Sequence, residues 1–160
     1  GVQTCALPIF CRSFPHLTAT LVDRARVLPT TNELVASSGV ADRIRVRAGD
    51  IETDPIGEDV DAVLLSDSFY YEEATAKRIL DTVRRALVEG GTIVIRGYYA
   101  DPGDSEPLFG AIFRLNLLLF DPGRTPPSLA DIKGWLDAEG FGEIRAFALT
   151  EKSTCVLAKK

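Results

Sequence analysis

The sequence has no methionine, one histidine, one tryptophan and three cysteines among 160 residues. Cys5, Cys11 and Cys155 show no metal-ligand spacing and cannot all pair. That argues against a structural zinc and a disulfide framework, and it suits a reducing compartment, so the cytoplasm is the expected location. No apolar run approaches the ~20 residues needed to cross a bilayer. LNLLLF (115–120) is far too short, and the opening CALPIF lacks the positive flank and the length of a secretory signal. A basic stripe is also missing: 18 Lys and Arg stand against 23 Asp and Glu, a net charge of −5. A nucleic acid held through its phosphates therefore has little support. The expectation is of no metal, no membrane and no nucleic-acid partner.

What is present is the balance of one soluble domain, 46% hydrophobic and 26% charged. TATLVD (18–23) and VDAVLLSD (60–67) read as buried parallel strands, each closing on an acid. RIRVRAGD (43–50) alternates and stops at Gly49-Asp50. Helices are expected over 26–39, where Pro29 falls in the first turn and Gly39 closes the element, and over 72–91, ended by Gly90-Gly91. In the second of these, acids lead and basic residues follow, the order that complements the helix dipole. TIVIRGYYA (92–100) is a further strand, DPGDSEP (101–107) a loop, and 107–120 a helix apolar almost all the way round. An amphipathic helix over 128–141, with Ile132, Trp135 and Leu136 inward, precedes a strand pair, EIRAFALT (143–150) and TCVLAKK (154–160). This alternation implies a doubly wound α/β sheet with its chemistry at the carboxyl ends of the strands. A nucleotide-binding sheet of that kind should open with a strand and a glycine-rich turn, and neither precedes TATLVD.

The segments PHLTATLVDRARVLPTTNELVASSGVADRIRVRAGDI and DAVLLSDSFYYEEATAKRILDTVRRALVEGGTIVI, with AEGF and two strands after them, resemble one family. That family is the class I S-adenosylmethionine-dependent methyltransferases, in particular their small-molecule O-methyltransferases. The resemblance covers about residues 10–160. It implies a Rossmann-like methyltransferase sheet of order 3-2-1-4-5-7-6, with a C-terminal antiparallel strand pair and FCRSFPH (10–16) as the tail of the first helix. It also implies S-adenosyl-L-methionine as cofactor, a small-molecule methyl acceptor, transfer to oxygen, and a homodimer of the intact parent formed through an N-terminal domain. The first strand and its Gly-x-Gly-x-Gly turn would lie upstream, so the chain is expected to be an inactive piece truncated at its N-terminus. In-frame translation of the sequencing-adapter read GGAGTTCAGACGTGTGCTCTTCCGATC is GVQTCALPI, residue for residue the first nine positions. Residues 1–9 are therefore expected to be adapter-derived, and 10–160 to be the partial methyltransferase domain.

Asp23, at the end of its strand, has a carboxylate that can accept both hydroxyls of a bound ribose, or it is a solvated acid that begins the next helix. The resemblance implies that Asp50 contacts the adenine amino group and that Ile51 packs on the ring. The alternative is that Asp50 caps its own turn. Ser66 and Asp67 stand where the methyl-donor pocket is expected, with Asp67 capping the next helix as the alternative. Many relatives carry a histidine base in the segment SDSFYYEE, which has none; that position falls on Tyr70 or on Asp67. A tyrosine with pKa near 10 and a carboxylate near 4 are both weak bases at neutral pH, so transfer by proximity to an already nucleophilic acceptor is the expectation. His16 reads as structural, and Glu72 and Glu73 as acids at a helix start. Arg96 reads as an anion site or a surface ion pair. A non-catalytic cofactor-binding remnant and a nicotinamide-dependent oxidoreductase are the competing readings. The terminal strand pair disfavours the oxidoreductase.

Overall fold

The computed structural model describes residues 3–99, 108–120 and 127–160, so the expected loop 101–107 lies outside the described residues. The chain divides into two compact units, Gly1–Ile56 and Gly57–Lys160.

The first unit holds α1 (Gln3–Ser13), β1 (Ala19–Asp23), α2 (Leu28–Ala36), a single 3-10 turn (Ala41–Arg43) and β2 (Ile44–Ala48). β1 and β2 pair in parallel, Ala19 opposite Ile44 through to Asp23 opposite Ala48. Pro29 sits at the start of α2, where its missing N–H costs nothing. A small core gathers Cys11, Val35, Val40 and Ile44, with Leu7, Leu17, Ala19 and Val46 packed against it. QTCALPIF is thus part of a helix and supplies Leu7 to this core, rather than forming a strand in the sheet.

In the second unit, β3 (Val60–Ser66), α3 (Glu73–Ala86), β4 (Leu87–Gly97), α4 (Leu108–Phe120), α5 (Leu129–Ala138), β5 (Gly142–Ala148) and β6 (Thr154–Lys159) follow in order. The strands form one sheet ordered β3-β4-β6-β5. β3 and β4 are parallel, while β6 runs antiparallel to both β4 and β5. Each unit therefore has the internal strand order that the methyltransferase sheet implies, and the architecture is α/β with a C-terminal antiparallel pair. Ile79, Leu80 and Val83 of α3, Ile93 and Ile95 of β4, Val156 of β6 and Ile132 and Leu136 of α5 are buried, and α3 packs on β4 and α5. α5 is held by a reciprocal capping box between Ser128 and Asp131. Trp135, expected inward, is half-buried.

Three expectations are corrected. The helix over 72–91 ends at Ala86, and the strand expected from Thr92 begins at Leu87 and stops at Gly97. Gly90 donates its N–H to the carbonyl of Lys160 and Gly91 accepts from Lys160, so the glycines lengthen a strand instead of ending a helix. β-Branched and glycine residues are poor helix formers, and the far end of β6 offers their backbone a partner. The two strands expected to be buried are only partly so: Leu21 is the buried residue of β1 and Leu65 of β3. β1 belongs to a two-stranded sheet and β3 is an edge strand of its own, so neither is flanked on both sides within its unit.

Candidate functional site

At the carboxyl ends of β1 and β2, a cleft of about 290 Å³ is lined by Arg24, Ala25, Ala48, Gly49, Asp50 and Asp54. Gly49 lets the turn close on β1: its N–H donates to the carbonyl of Asp23, and a Cβ there would lie 2.8 Å from Cγ1 of Val22. Asp23 accepts the backbone N–H of Arg24 on Oδ1 at 2.8 Å, and Oδ2 has no bond among the described residues. Asp50 accepts the N–H of Glu52 on Oδ1 and lies 3.5 Å from the Arg24 guanidinium, while its own N–H goes to Asp54. Asp50 thus does cap its own turn, and Ile51 follows it there, half-buried. These carboxylates, with the open backbone of the Ala48-Gly49 turn, have the donor and acceptor chemistry a nucleoside requires. They fit the nucleoside end of the implied cofactor.

The second unit gathers polar and aromatic side chains at the carboxyl ends of β3 and β4. Ser66 closes β3, and Asp67 turns the chain through a left-handed backbone (φ 53), a conformation that Asp tolerates better than most residues. Its carboxylate pairs with the Arg96 guanidinium, both groups about one-fifth exposed, and its Oδ1 is buried without a partner. Asp67 does not cap α3, whose N-cap is Glu72, and the Arg96 pair is partly buried rather than superficial. Burial works against the Arg96 charge, but the Tyr98 hydroxyl and Asp67 outweigh it and hold the guanidinium more basic than usual.

Arg96 also donates to the Tyr98 hydroxyl at 3.1 Å. The backbone N–H of Tyr98 donates to the Tyr70 hydroxyl at 2.9 Å, and the Tyr99 hydroxyl donates to the carbonyl of Phe69 at 3.2 Å. Gly97 makes room for this fold-back, since a Cβ on it would lie 2.6 Å from the Tyr99 ring. Tyr70 and Tyr98 pack on Phe113 of α4, both at 5.1 Å between centroids, and Tyr98 packs on Phe109 at 4.7 Å. Burial pushes the Tyr70 phenol well above its ordinary range, against the opposing effect of the Tyr98 N–H, and it pushes Tyr99 the same way. A phenol held neutral in this manner is not poised to remove a proton, and Asp67 is occupied by Arg96. Burial likewise raises the thiol of Cys155, which sits opposite Arg96 in the β4–β6 register.

Of the other candidates, Glu72 and Glu73 stand at the start of α3 as expected, with Glu73 paired to Lys77, and His16 is exposed with its ring against Phe14. Tyr98 and Tyr99 were not singled out by sequence reasoning. The one available signal was the pair of adjacent aromatics near the end of the expected strand 92–100. Among the described residues, no group of three or more His, Cys, Asp and Glu side chains could hold a metal, and no helix is long and apolar enough to cross a membrane.

The profile of the O-methyltransferase domain family matches residues 3–142. The chain belongs to that family. A 3-hydroxy-5-methyl-1-naphthoate 3-O-methyltransferase of Streptomyces sahachiroi is 35% identical over 136 residues, which are 84% of this chain and 39% of the relative. An aclacinomycin 10-hydroxylase of Streptomyces purpurascens is 32% identical over 124 residues, 75% of this chain and 33% of the relative. A crystal structure of an O-methyltransferase family 2 protein from Planctomyces limnophilus in complex with apigenin superposes with a TM-score of 0.85 at 25% identity, covering 96% of this chain and 47% of that one. This O-methyltransferase-family chain spans less than half the length of each of these relatives.

Proposed function

We propose that the protein carrying this chain transfers a methyl group from S-adenosylmethionine to an oxygen of a small aromatic acceptor. The observation that carries the reading is the pair of carboxylates, Asp23 and Asp50, at the carboxyl ends of two adjacent parallel strands beside the open turn at Gly49. Membership of the O-methyltransferase family and the naphthoate O-methyltransferase relative support it. When bound, S-adenosylmethionine supplies an electrophilic methyl group. Within the first unit, Asp23 would accept the ribose hydroxyls and the Asp50 turn and Ile51 would hold the adenine; within the second, Ser66 is the residue proposed for the methyl-donor end. Tyr98, Phe109 and Phe113 form an apolar wall for the acceptor. Asp67 and Tyr70 act by position: Asp67 orients Arg96, and the neutral Tyr70 hydroxyl holds the Tyr98 backbone in place. No base is required of them, because an acceptor oxygen already partly ionised reacts once it is aligned. The whole protein is a homodimer in this reading, joined through a segment outside the chain, and it works in the cytoplasm. The bare apolar face of α4, with Leu115, Leu119 and Phe120 more than half exposed, supports a covering partner.

The test is isothermal titration with S-adenosylhomocysteine of two chains: residues 1–160, and an extended chain in which the natural upstream sequence replaces residues 1–9. The extended chain is expected to bind at micromolar concentration and to lose at least about tenfold with Asp23→Ala, since a charge-accepting hydrogen bond is worth roughly 1.5–3 kcal/mol. The chain of 160 residues, which has no Gly-x-Gly ahead of β1, is expected to bind far more weakly. Absence of binding by the extended chain would overturn the proposal. Because a relative is named a hydroxylase, transfer of labelled methyl to a phenolic acceptor is the companion measurement.

A further inference from the structure

A second cleft, of about 420 Å³ and wholly within the second unit, is lined by Arg96, Tyr98 and the β5–β6 turn residues Thr150, Glu151 and Lys152. Its cations are set in place from behind. Of the five N–H groups of the Arg96 guanidinium, one bonds Asp67 and one bonds the Tyr98 hydroxyl, which fixes the direction of the fork and, among the described residues, leaves the other donors unused. The guanidinium carbon also lies 4.7 Å over the Tyr98 ring. Lys152 is positioned by its turn: its backbone N–H and that of Ser153 both donate to Oγ1 of Thr150, and its ammonium lies 5.5 Å from the Phe109 ring centroid. Among the described residues, the cleft thus sets two cations against one exposed acid, Glu151, beside an aromatic wall.

We propose that this cleft binds the carboxylate of an aromatic acceptor, the anion lying between Arg96 and Lys152 and the ring against Tyr98. The inference rests on the methyl-acceptor reading above and narrows its substrate class to aromatic acids. Arginine presents a planar fork that matches a carboxylate, and a guanidinium already oriented by its neighbours loses less freedom when it binds. Asp67 offsets part of the Arg96 charge, so the second cation is needed to make the cleft selective for an anion.

The test uses the extended chain, with fluorescence titration of 2-naphthoate and of its neutral isostere 2-naphthamide in the presence of S-adenosylhomocysteine. The carboxylate is expected to bind at least about tenfold more tightly than the amide, a difference of one charge-assisted contact. Lys152→Glu, at an exposed turn position, is expected to remove most of that difference. Arg96→Lys, which keeps a cation for Asp67, is expected to lower carboxylate binding in the same direction. Equal affinity for the two probes, absence of naphthoate binding, or a preference insensitive to both substitutions would overturn the inference. Loss of S-adenosylhomocysteine binding itself would instead count against the methyltransferase reading.

Discussion

At the scale of single residues, the second unit concentrates its chemistry in contacts that bridge about thirty positions of sequence: Asp67 to Arg96, Tyr70 to Tyr98 and Phe69 to Tyr99. Tyr70 has a measurable consequence. Its phenol ionises near 10 in an unfolded chain, and burial raises that value in the fold. A raised folded value means that the neutral form is favoured in the native state. The stability it contributes is fully present below about pH 10 and is lost as pH rises through the folded value. In an alkaline titration, the phenolate absorbance of Tyr70 and Tyr99 is expected to grow only as circular dichroism falls. Ionisation of all four tyrosines near pH 10 with secondary structure intact would contradict it. Tyr70→Phe leaves the Tyr98 N–H without its acceptor and is expected to cost about 1–3 kcal/mol in urea unfolding.

At the scale of elements, α5 shows a local signal working as chemistry predicts. Ser128 accepts the N–H of Asp131 on its hydroxyl, and Asp131 accepts the N–H of Ser128 in return. Ser128 is buried as well, so water is a poor substitute for the lost bond. Ser128→Ala is expected to lower unfolding free energy by about 0.5–2 kcal/mol, read from the urea midpoint at unchanged slope. A shift indistinguishable from zero would show that the cap is dispensable. The junction of α3 and β4 is the opposite case. Val88 to Gly91 read as a helix end, yet their backbone joins a strand because Lys160 offers partners more than sixty positions away in sequence. No local propensity carries that information.

At the scale of the whole molecule, the two units differ in how much structure supports them. The first has a two-stranded sheet and one small cluster, whereas the second has four strands with helices packed on them. Two strands alone are marginal in water. Native-state hydrogen exchange is therefore expected to be faster for the amides of β1 and β2 than for those of β4 and β6, by at least about tenfold. Equal protection would show that the first unit draws its stability from elsewhere. The origin of residues 1–9 is open to a direct check as well. The family profile begins at residue 3 and Leu7 packs in a core, but an apolar segment can do both whatever its source. The source DNA is expected to read a different codon series ahead of Phe10. Finding GVQTCALPI encoded there would overturn the adapter reading.

From β1 onward, sequence alone was sufficient for the element types, their order and the antiparallel ending, because periodicity, caps and turn residues act within a few positions of one another, whereas the helix over Gln3–Ser13 was not legible in its pattern. It also pointed to Asp23, Asp50 and Asp67 as strand-end acids, and to α4 as a helix with more apolar surface than one face can bury. Tertiary structure decided which of these acids are already engaged: Asp50 by its own turn, and Asp67 by an arginine from the neighbouring strand. It also decided that Tyr70 is buried and bonded to backbone, that β1 and β3 are only partly covered, and that Arg96 and Lys152 line one cleft. Apart from the Asp50 turn, which is local, each of these depends on strand register and on the packing of residues distant in sequence, and pairing distant residues is settled by the sheet as a whole rather than by any window of the chain.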